Sequence, residues 1–305
     1  MELRDARILV TGGSGFVGRH LVPRLAQGGA HVTVLTRNPA RTAGVLPGVD
    51  LVADPAAAAA RAPNVVINLA GAGIGDRPWT EGRRRLLRSS RIAYTEALHE
   101  AFAAQPPEVL VSASAIGYYG TSEHARFDES AAQGTGFAAQ LCADWEASAR
   151  TFEALGTRVV LGRIGLVLGD GGLLQRLRLP FSLGLGGRIG SGRQWMSWVH
   201  MADLLALLET AVLDDAWQGA FNFTAPEPAR NVDFTRVLAG TLNRPAFLPA
   251  PGFLLRALLG EMAEELLLSG AAVYPERVRE RGFAFEFASL APAVADALGR
   301  REISR

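Results

Sequence analysis

Apolar positions in the first 165 residues alternate between two periods. Short, nearly unbroken apolar runs recur at 7–11, 31–36, 49–53, 64–69, 109–112 and 158–161. Between them lie segments with helical spacing: 16–27 (Val17, Leu21, Leu25), a short helix at 56–61, one long helix over 80–104 ended by Pro106-Pro107, and a helix over 136–155 carrying Leu141, Trp145 and Phe152. Brief apolar runs bounded by turn residues read as strands buried on both faces, and three-to-four spacing reads as helix. The alternation predicts an α/β fold: a Rossmann-type, doubly wound parallel sheet with helices on both faces.

Beyond Arg163 the rhythm loosens. Residues 173–198 are glycine-rich and hold Trp195 and Trp198, 201–212 reads as a helix, and 221–223 as a short strand. From Val232 onward short helices are broken by Pro245, Pro249, Pro251 and Pro275. Residues 1–165 are therefore expected to form a nucleotide-binding domain, joined by a strand at 219–225. Residues 166–218 and 226–305 are expected to form a smaller C-terminal lobe over the carboxyl ends of the strands, where ligands bind in such sheets.

Composition narrows the chemistry. The 305 residues are 49% hydrophobic, enough for a sizeable core. A net charge of +1, from 31 basic and 30 acidic residues, offers nothing to attract nucleic acid. The dense basic stretch Arg83-Arg84-Arg85 with Arg88 and Arg91 reads as a solvated helix face, Arg91 excepted. Every basic residue is arginine, so Schiff-base and Walker-lysine chemistry are excluded. Cys142 stands alone, which fits a reducing, cytoplasmic setting without disulfides. The five histidines show no metal-ligand spacing, so no metal is expected. Glu2 and Asp5 at the start do not suit a signal peptide. No uncharged apolar run reaches about 18 residues, so no membrane span is expected. The sequence specifies no oligomeric state.

The sharpest motif is Gly12-Gly13-Ser14-Gly15-Phe16-Val17-Gly18, which follows a strand and opens a helix. Its first glycine permits a tight turn, the next lets the backbone approach a pyrophosphate, and the last allows close helix–strand packing. The helix N-terminus then faces phosphate with its dipole. The second strand ends at Thr36-Arg37, with no acid until Asp50. An arginine there suits a ribose 2′-phosphate, so the expected cofactor is NADP(H). Leu69, Ala70 and Gly71 end the fourth strand with small residues that leave room for a cofactor. Asp54 reads equally as an adenine contact or a helix N-cap. Ser112 and Ser114 stand at the fifth strand's end, followed by Tyr118 and Tyr119. Ser114 and Tyr118 are the candidate proton donors, although both tyrosines also read as a packed aromatic loop. Cys142 reads as a small buried residue.

These residues resemble the extended branch of the short-chain dehydrogenase/reductase superfamily in three features. They are the Gly12–Gly18 loop, the Asn68-Leu69-Ala70-Gly71 strand end and the Trp198–Asp203 segment. A closer similarity is to the bacterial epimerase-like (NAD-dependent epimerase/dehydratase) family sometimes labelled cell-division inhibitors. It rests on Arg77-Pro78-Trp79-Thr80, Ser90-Arg91, residues 112–120 (SASAIGYYG), Cys142 with Trp145-Glu146, residues 186–198 (GGRIGSGRQWMSW) and Gly282-Phe283-Ala284-Phe285. The resemblance implies a Rossmann domain with a C-terminal lobe. It also implies NADP(H) contacts from Gly12–Gly18, Thr36-Arg37, Leu69-Ala70 and Arg91, which stands where the extended branch has Asn.

Two departures bear on activity. Extended-branch enzymes use a Tyr-x-x-x-Lys pair, and alignment puts Ala138 and Cys142 at those positions. Nucleotide-sugar epimerases carry a diphosphate-gripping Arg where this chain has Met196, and an Asp at Ser197; Arg193 is offset by three residues. His200 and Asp203 match the family pattern and read as loop-orienting and helix-capping residues. The expectation is an NADP(H)-dependent oxidoreductase or epimerase-like enzyme with a modified acid/base set, acting on a small carbonyl or alcohol. The alternative is a non-catalytic, NADP(H)-binding regulatory protein, connected with cell division through the family label.

Overall fold

The computed structural model describes residues 1–300. Seven strands form one sheet: β1 (Arg7–Thr11), β2 (His31–Leu35), β3 (Asp50–Val52), β4 (Val65–Asn68), β5 (Val109–Ala115), β6 (Arg158–Ile164) and β7 (Gly219–Phe223). Their spatial order is β3-β2-β1-β4-β5-β6-β7, and every pairing is parallel. The expected Rossmann fold is present, with the strand near residue 220 added at the edge beside β6. The order reverses direction between β1 and β4, which opens a crevice above their carboxyl ends.

The strands are apolar on both faces because each face is covered by helices. Ile8, Val10, Val65, Ile67, Val109 and Val111 pack with α1 (Gly18–Gln27) and with Leu204, Leu207 and Leu208 of the helix Met201–Leu213. Leu9, Val66 and Leu110, one residue out of phase, face the helices that include Leu98, Phe102 and Phe152. A third cluster holds Leu168, Leu174, Phe181, Met196, Trp198, Phe234, Leu238, Phe287 and Val294, drawn from the C-terminal part of the chain. Among the described residues no helix is long and apolar enough to cross a membrane.

The expected single helix over 80–104 is two helices, Glu81–Ser89 and Ile92–Phe102. Propensity alone continues through the junction, but side-chain bonds break it. Ser89 and Ser90 donate their hydroxyls back to the carbonyls of Leu86 and Leu87, Arg91 N–H turns to the Arg88 carbonyl, and Ser90 Oγ accepts Ala72 N–H at 3.1 Å. These local bonds compete with the helical ladder. The solvated-face reading of the arginines also needs correction. Arg85 is exposed and pairs with Glu81, but Arg83 is only 12% exposed and lies against Gly73 O and Asp76. Arg84 spans to Glu261 and stacks on Phe137, whereas Arg88 is exposed, as expected, and bonds Asp144 at 2.6 Å.

Candidate functional site

The glycine loop shows a division of labour in its packing. Gly12 takes φ +69°, and a Cβ there would fall 2.6 Å from the Leu69 carbonyl oxygen. Gly18 is closed in by Gly12 O at 2.4 Å and Gly13 Cα at 2.6 Å, and Gly13 by Val34 Cγ1 at 2.8 Å. Gly15 differs: a Cβ there meets only Gly12 O, at 3.0 Å. Gly12 and Gly18 are thus small for packing, whereas at Gly15 the one close neighbour of an added Cβ is the Gly12 carbonyl oxygen. Its own N–H is spent on Gly12 O at 2.9 Å, which fixes the turn. Phe16 lies under Gly171 and Gly172 of the C-terminal part, where added Cβ atoms would meet its ring at 2.7 and 2.9 Å. Ser14 and Val17 complete the loop, Val17 being the residue before the first turn of α1.

The loop rests on a buried polar pin. Thr11 Oγ1 donates to Asn68 Oδ1 at 2.7 Å, and Asn68 Nδ2 donates to Thr95 Oγ1 at 3.0 Å. Ala70 N–H is bound by Thr11 Oγ1 at 3.2 Å, so the Leu69-Ala70-Gly71 turn is locked to the end of β1. Beyond β2, Thr36 Oγ1 shares a 2.8 Å hydrogen bond with Thr42, and Asn38 caps the helix Pro39–Val45. Arg37 is exposed between them. Among the described residues no carboxylate pairs with it, and its charge is felt at Tyr94, whose phenol burial pushes up to about 12. Asp54 Oδ1 accepts Ala57 N–H at 2.8 Å, the N-cap of the two alternatives. Arg91 is partly buried against Gly71 and the Trp145 ring.

At the end of β5 the structure adds a network that sequence reasoning missed. Ser114 is buried and donates its hydroxyl proton to Glu146 Oε1 at 2.7 Å. Glu146 holds Arg163 bidentately, at 2.8 and 2.9 Å, with both side chains at most 5% exposed. Arg163 Nη1 donates to Tyr119 Oη at 2.9 Å, and Tyr119 donates to Asn222 Oδ1 at 2.7 Å. Burial works against the Arg163 charge, yet the hydrogen bonds and charge of Glu146 outweigh it and hold its pKa above the usual arginine value. Burial pushes the Tyr119 phenol up to about 12, against the pull of Arg163. Tyr118 is the less buried of the two tyrosines. Its ring lies 3.5 Å from Arg163 Cζ, and among the described residues its hydroxyl has no hydrogen-bond partner. One sequence signal was available: an arginine inside the apolar run 158–164 requires a buried acid.

The turn Ile116–Tyr119 lies on the helix Phe137–Arg150. A Cβ on Gly117 would sit 3.3 Å from Ala138 Cβ and 3.6 Å from Cys142 Sγ. The two positions where an extended-branch enzyme carries Tyr and Lys therefore face this turn, with only a methyl and a thiol. Burial pushes the Cys142 thiol up to about 12, and Glu146 adds to the shift, so it stays protonated. The same helix is capped by Glu265, which accepts Phe137 and Ala138 N–H at 2.9 Å each.

The positions where nucleotide-sugar epimerases grip a diphosphate, and the segment that follows them, do structural work in this chain. Met196 is buried in the third cluster, and Arg193 is exposed and bonds Glu123 at 3.0 Å. Ser197 donates to Ala271 O and accepts Val273 N–H. His200 accepts Ala202 N–H, stacks on Phe287 and lies 3.2 Å from Asp296. Asp203 accepts Glu286 and Phe287 N–H.

A doubly wound sheet, a glycine loop at its switch point and a serine-tyrosine turn beyond β5 together define an epimerase-like member of the extended short-chain dehydrogenase/reductases. Residues 8–222 match the family model described as NAD dependent epimerase/dehydratase family, and residues 250–297 match a domain of unknown function (DUF1731). The chain belongs to the NAD-dependent epimerase/dehydratase family. It is 42% identical to an epimerase family protein of Mycobacterium bovis over 238 residues, 78% of this chain and 79% of that one. It is 38% identical to one from Staphylococcus epidermidis over 95% of this chain and 98% of the relative. Among solved structures, human epimerase family protein SDR39U1 (isoform 2), crystallised with NADPH, superposes with a TM-score of 0.86 at 34% identity. That match covers 96% of this chain and 99% of the human one.

Proposed function

We propose that this chain binds NADP(H) across the ends of β2, β1 and β4 and reduces or oxidises a small carbonyl or alcohol, with Tyr118 exchanging the proton. The observation that carries the reading is the glycine loop between β1 and α1, in which Gly12 and Gly18 are closed by packing and Gly15 has a single close neighbour, the Gly12 carbonyl oxygen. The similar human protein was crystallised with NADPH, which supports the same cofactor here. Gly12–Gly18 would hold the pyrophosphate, Leu69, Ala70 and Gly71 would form its bed, and Thr36-Arg37 would receive the ribose 2′-phosphate. The bound cofactor supplies or accepts hydride at its nicotinamide. For reduction, hydride adds to the carbonyl carbon and the oxygen takes the Tyr118 phenol proton, which solvent then replaces. The Ser114 hydroxyl donates its hydrogen bond to Glu146, so towards substrate it acts as a hydrogen-bond acceptor that orients an alcohol.

Arg37→Ala should weaken NADPH binding by about 1.5–3 kcal/mol, the range for one charge-assisted pair to phosphate. NADH binding should stay nearly unchanged. Calorimetric titration of both cofactors checks this, and equal affinities in the unmodified chain would refute the role of Arg37. Tyr118→Phe should lower oxidation of bound NADPH by about 10²–10⁴-fold against any carbonyl compound that is turned over, with NADPH affinity kept. Stopped-flow mixing with a panel of carbonyls and nucleotide sugars reads it, and turnover indifferent to the substitution removes Tyr118 from the chemistry.

One observation favours a second reading. Ala138 and the protonated thiol of Cys142 stand where the usual acid and cation belong. A cofactor-binding regulatory protein without turnover fits this, and no oxidation by any compound in the panel would select it.

A further inference from the structure

Exposed apolar side chains gather on two stretches of the C-terminal part. The helix Gly252–Leu259 has the sequence GFLLRALL, yet none of its residues is buried. Phe253 is 74% exposed, and Leu254 and Leu258 are exposed on the same helix. Phe247, just before the helix, is 73% exposed. Leu179, Leu183 and Leu185 are exposed at the end of the helix Gly172–Ser182 and in the turn after it. A surface helix ordinarily buries its apolar face, and a contiguous apolar patch left in water marks an interaction site.

The two stretches lie side by side. Ala250 N–H donates to Arg188 O and Gly190 N–H to Ala250 O, each at 2.9 Å, and Leu248 N–H reaches Gly186 O at 3.3 Å. A Cβ on Gly184 would touch the Pro245 ring at 3.6 Å. Their charges are of one sign: residues 171–202 and 234–260 contain no Asp or Glu, and hold four and three arginines. Arg176, Arg193, Arg236 and Arg256 pair with Asp76, Glu123, Asp233 and Glu264, all acids from outside the two stretches. Glu261, just past the exposed helix, is held by Arg84. Arg178, Arg188 and Arg244 are exposed, and among the described residues no carboxylate pairs with them. Arg188 and Phe247 also line a shallow cavity of about 370 Å³ with Val232, Ala246 and Pro249, so a cation and an apolar wall meet at one place.

The kind of partner follows from the charge. A second copy packed about a twofold axis would set this patch against itself, arginine facing arginine with no free acid between them. A bilayer that carries anionic phospholipid matches both features: its headgroup–acyl boundary takes up phenylalanine and leucine, and its phosphates take up the arginines. We infer that the surface formed by residues 179–188 and 244–258 docks on an anionic phospholipid membrane, with Phe247, Phe253 and Leu258 entering the boundary and Arg178, Arg188 and Arg244 on the phosphates. The contact is made from one side of the bilayer and needs no spanning helix. It is independent of the NADP(H) reading above.

The test is co-sedimentation of the full chain with vesicles of phosphatidylcholine alone and of equimolar phosphatidylcholine and phosphatidylglycerol. The unmodified chain should bind the anionic vesicles at least about 10-fold more tightly than the neutral ones, and should lose this advantage in roughly 1 M salt, where charges are screened within about 3 Å. Phe247→Ser combined with Phe253→Ser should weaken the anionic binding about 10- to 100-fold. Arg178→Gln combined with Arg244→Gln should weaken it about 25-fold, roughly fivefold for each charge. All four side chains are exposed, so thermal melts and NADPH affinity should match those of the unmodified chain. No binding to either vesicle, equal binding to both, or variants that bind like the unmodified chain would each overturn the inference. Melting points lowered in both double variants would make the patch part of the fold and overturn it as well. Sedimentation equilibrium without lipid covers the remaining case: a dimer that the two phenylalanine substitutions convert to monomer assigns the patch to a second copy and overturns the membrane contact.

Discussion

Gly15→Val should abolish NADPH binding in a chain that still folds. The glycines of the loop differ in what a side chain would meet, and the difference separates folding from binding. At Gly18 a Cβ would lie 2.4 Å from a backbone oxygen and 2.6 Å from a backbone carbon, so even alanine forces the loop apart. At Gly12 the positive φ adds backbone strain to a 2.6 Å contact. Gly15 has neither problem. Its one close neighbour is Gly12 O at 3.0 Å, which must give by a few tenths of an ångström to admit a side chain. The isopropyl group of valine then occupies the space above the first turn of α1, where phosphate oxygens would approach the backbone. The expected loss is at least about 100-fold, roughly 3 kcal/mol, because the pyrophosphate cannot be accommodated elsewhere on the loop. Calorimetry reads the affinity and a thermal melt reads the fold. A folded Gly15→Val chain with ordinary NADPH affinity would show that this loop is not the phosphate site.

The parts of the fold legible in the sequence are those governed by local pattern. β1 through β6 announce themselves as apolar runs because both faces of a parallel sheet are covered, and β7 does so as Phe221–Phe223. Their parallel arrangement, with helices on both faces, followed from the βαβ rhythm. The missed features depend on partners distant in sequence. The residues at the Ser90 break have good helix formers on either side, and the hydrogen bond from Ala72, 18 residues away, adds to the local serine bonds that interrupt the ladder. Arg83 looked like one more solvated arginine, since nothing local shows that Gly73 and Asp76 return to cover it. Leu204, Leu207 and Leu208 were plainly helical, but periodicity does not say that they pack beneath β1 and β4. At the site, Ser114 and Tyr118 were legible as chemistry-bearing types at a strand end. The direction of the Ser114 proton was not, because it is set by Glu146, 32 residues on, which Arg163 fixes from a neighbouring strand.

That ion pair carries the largest stability prediction. Glu146→Ala should destabilise the chain by about 3–5 kcal/mol, since it leaves the Arg163 guanidinium buried with no counter-charge. Both partners are at most 5% exposed, so water cannot take over the role of the carboxylate without opening the core beside β5 and β6. The charge is the cause, and a second variant isolates it. Glu146→Leu combined with Arg163→Met removes both ions and keeps most of the volume. Replacing a buried pair by apolar residues is often near neutral, so the double variant should recover more than half of the loss. Recovery stays incomplete because Ser114 then has no acceptor for its proton and Tyr119 loses a donor, each a buried polar group left short of a partner. Denaturant unfolding of the three chains measures these differences. A cost below about 1 kcal/mol for Glu146→Ala would mean that the pair is not a dry, charged contact in solution. The Ser114 proton would then be free, and Ser114 would return beside Tyr118 as a proton donor.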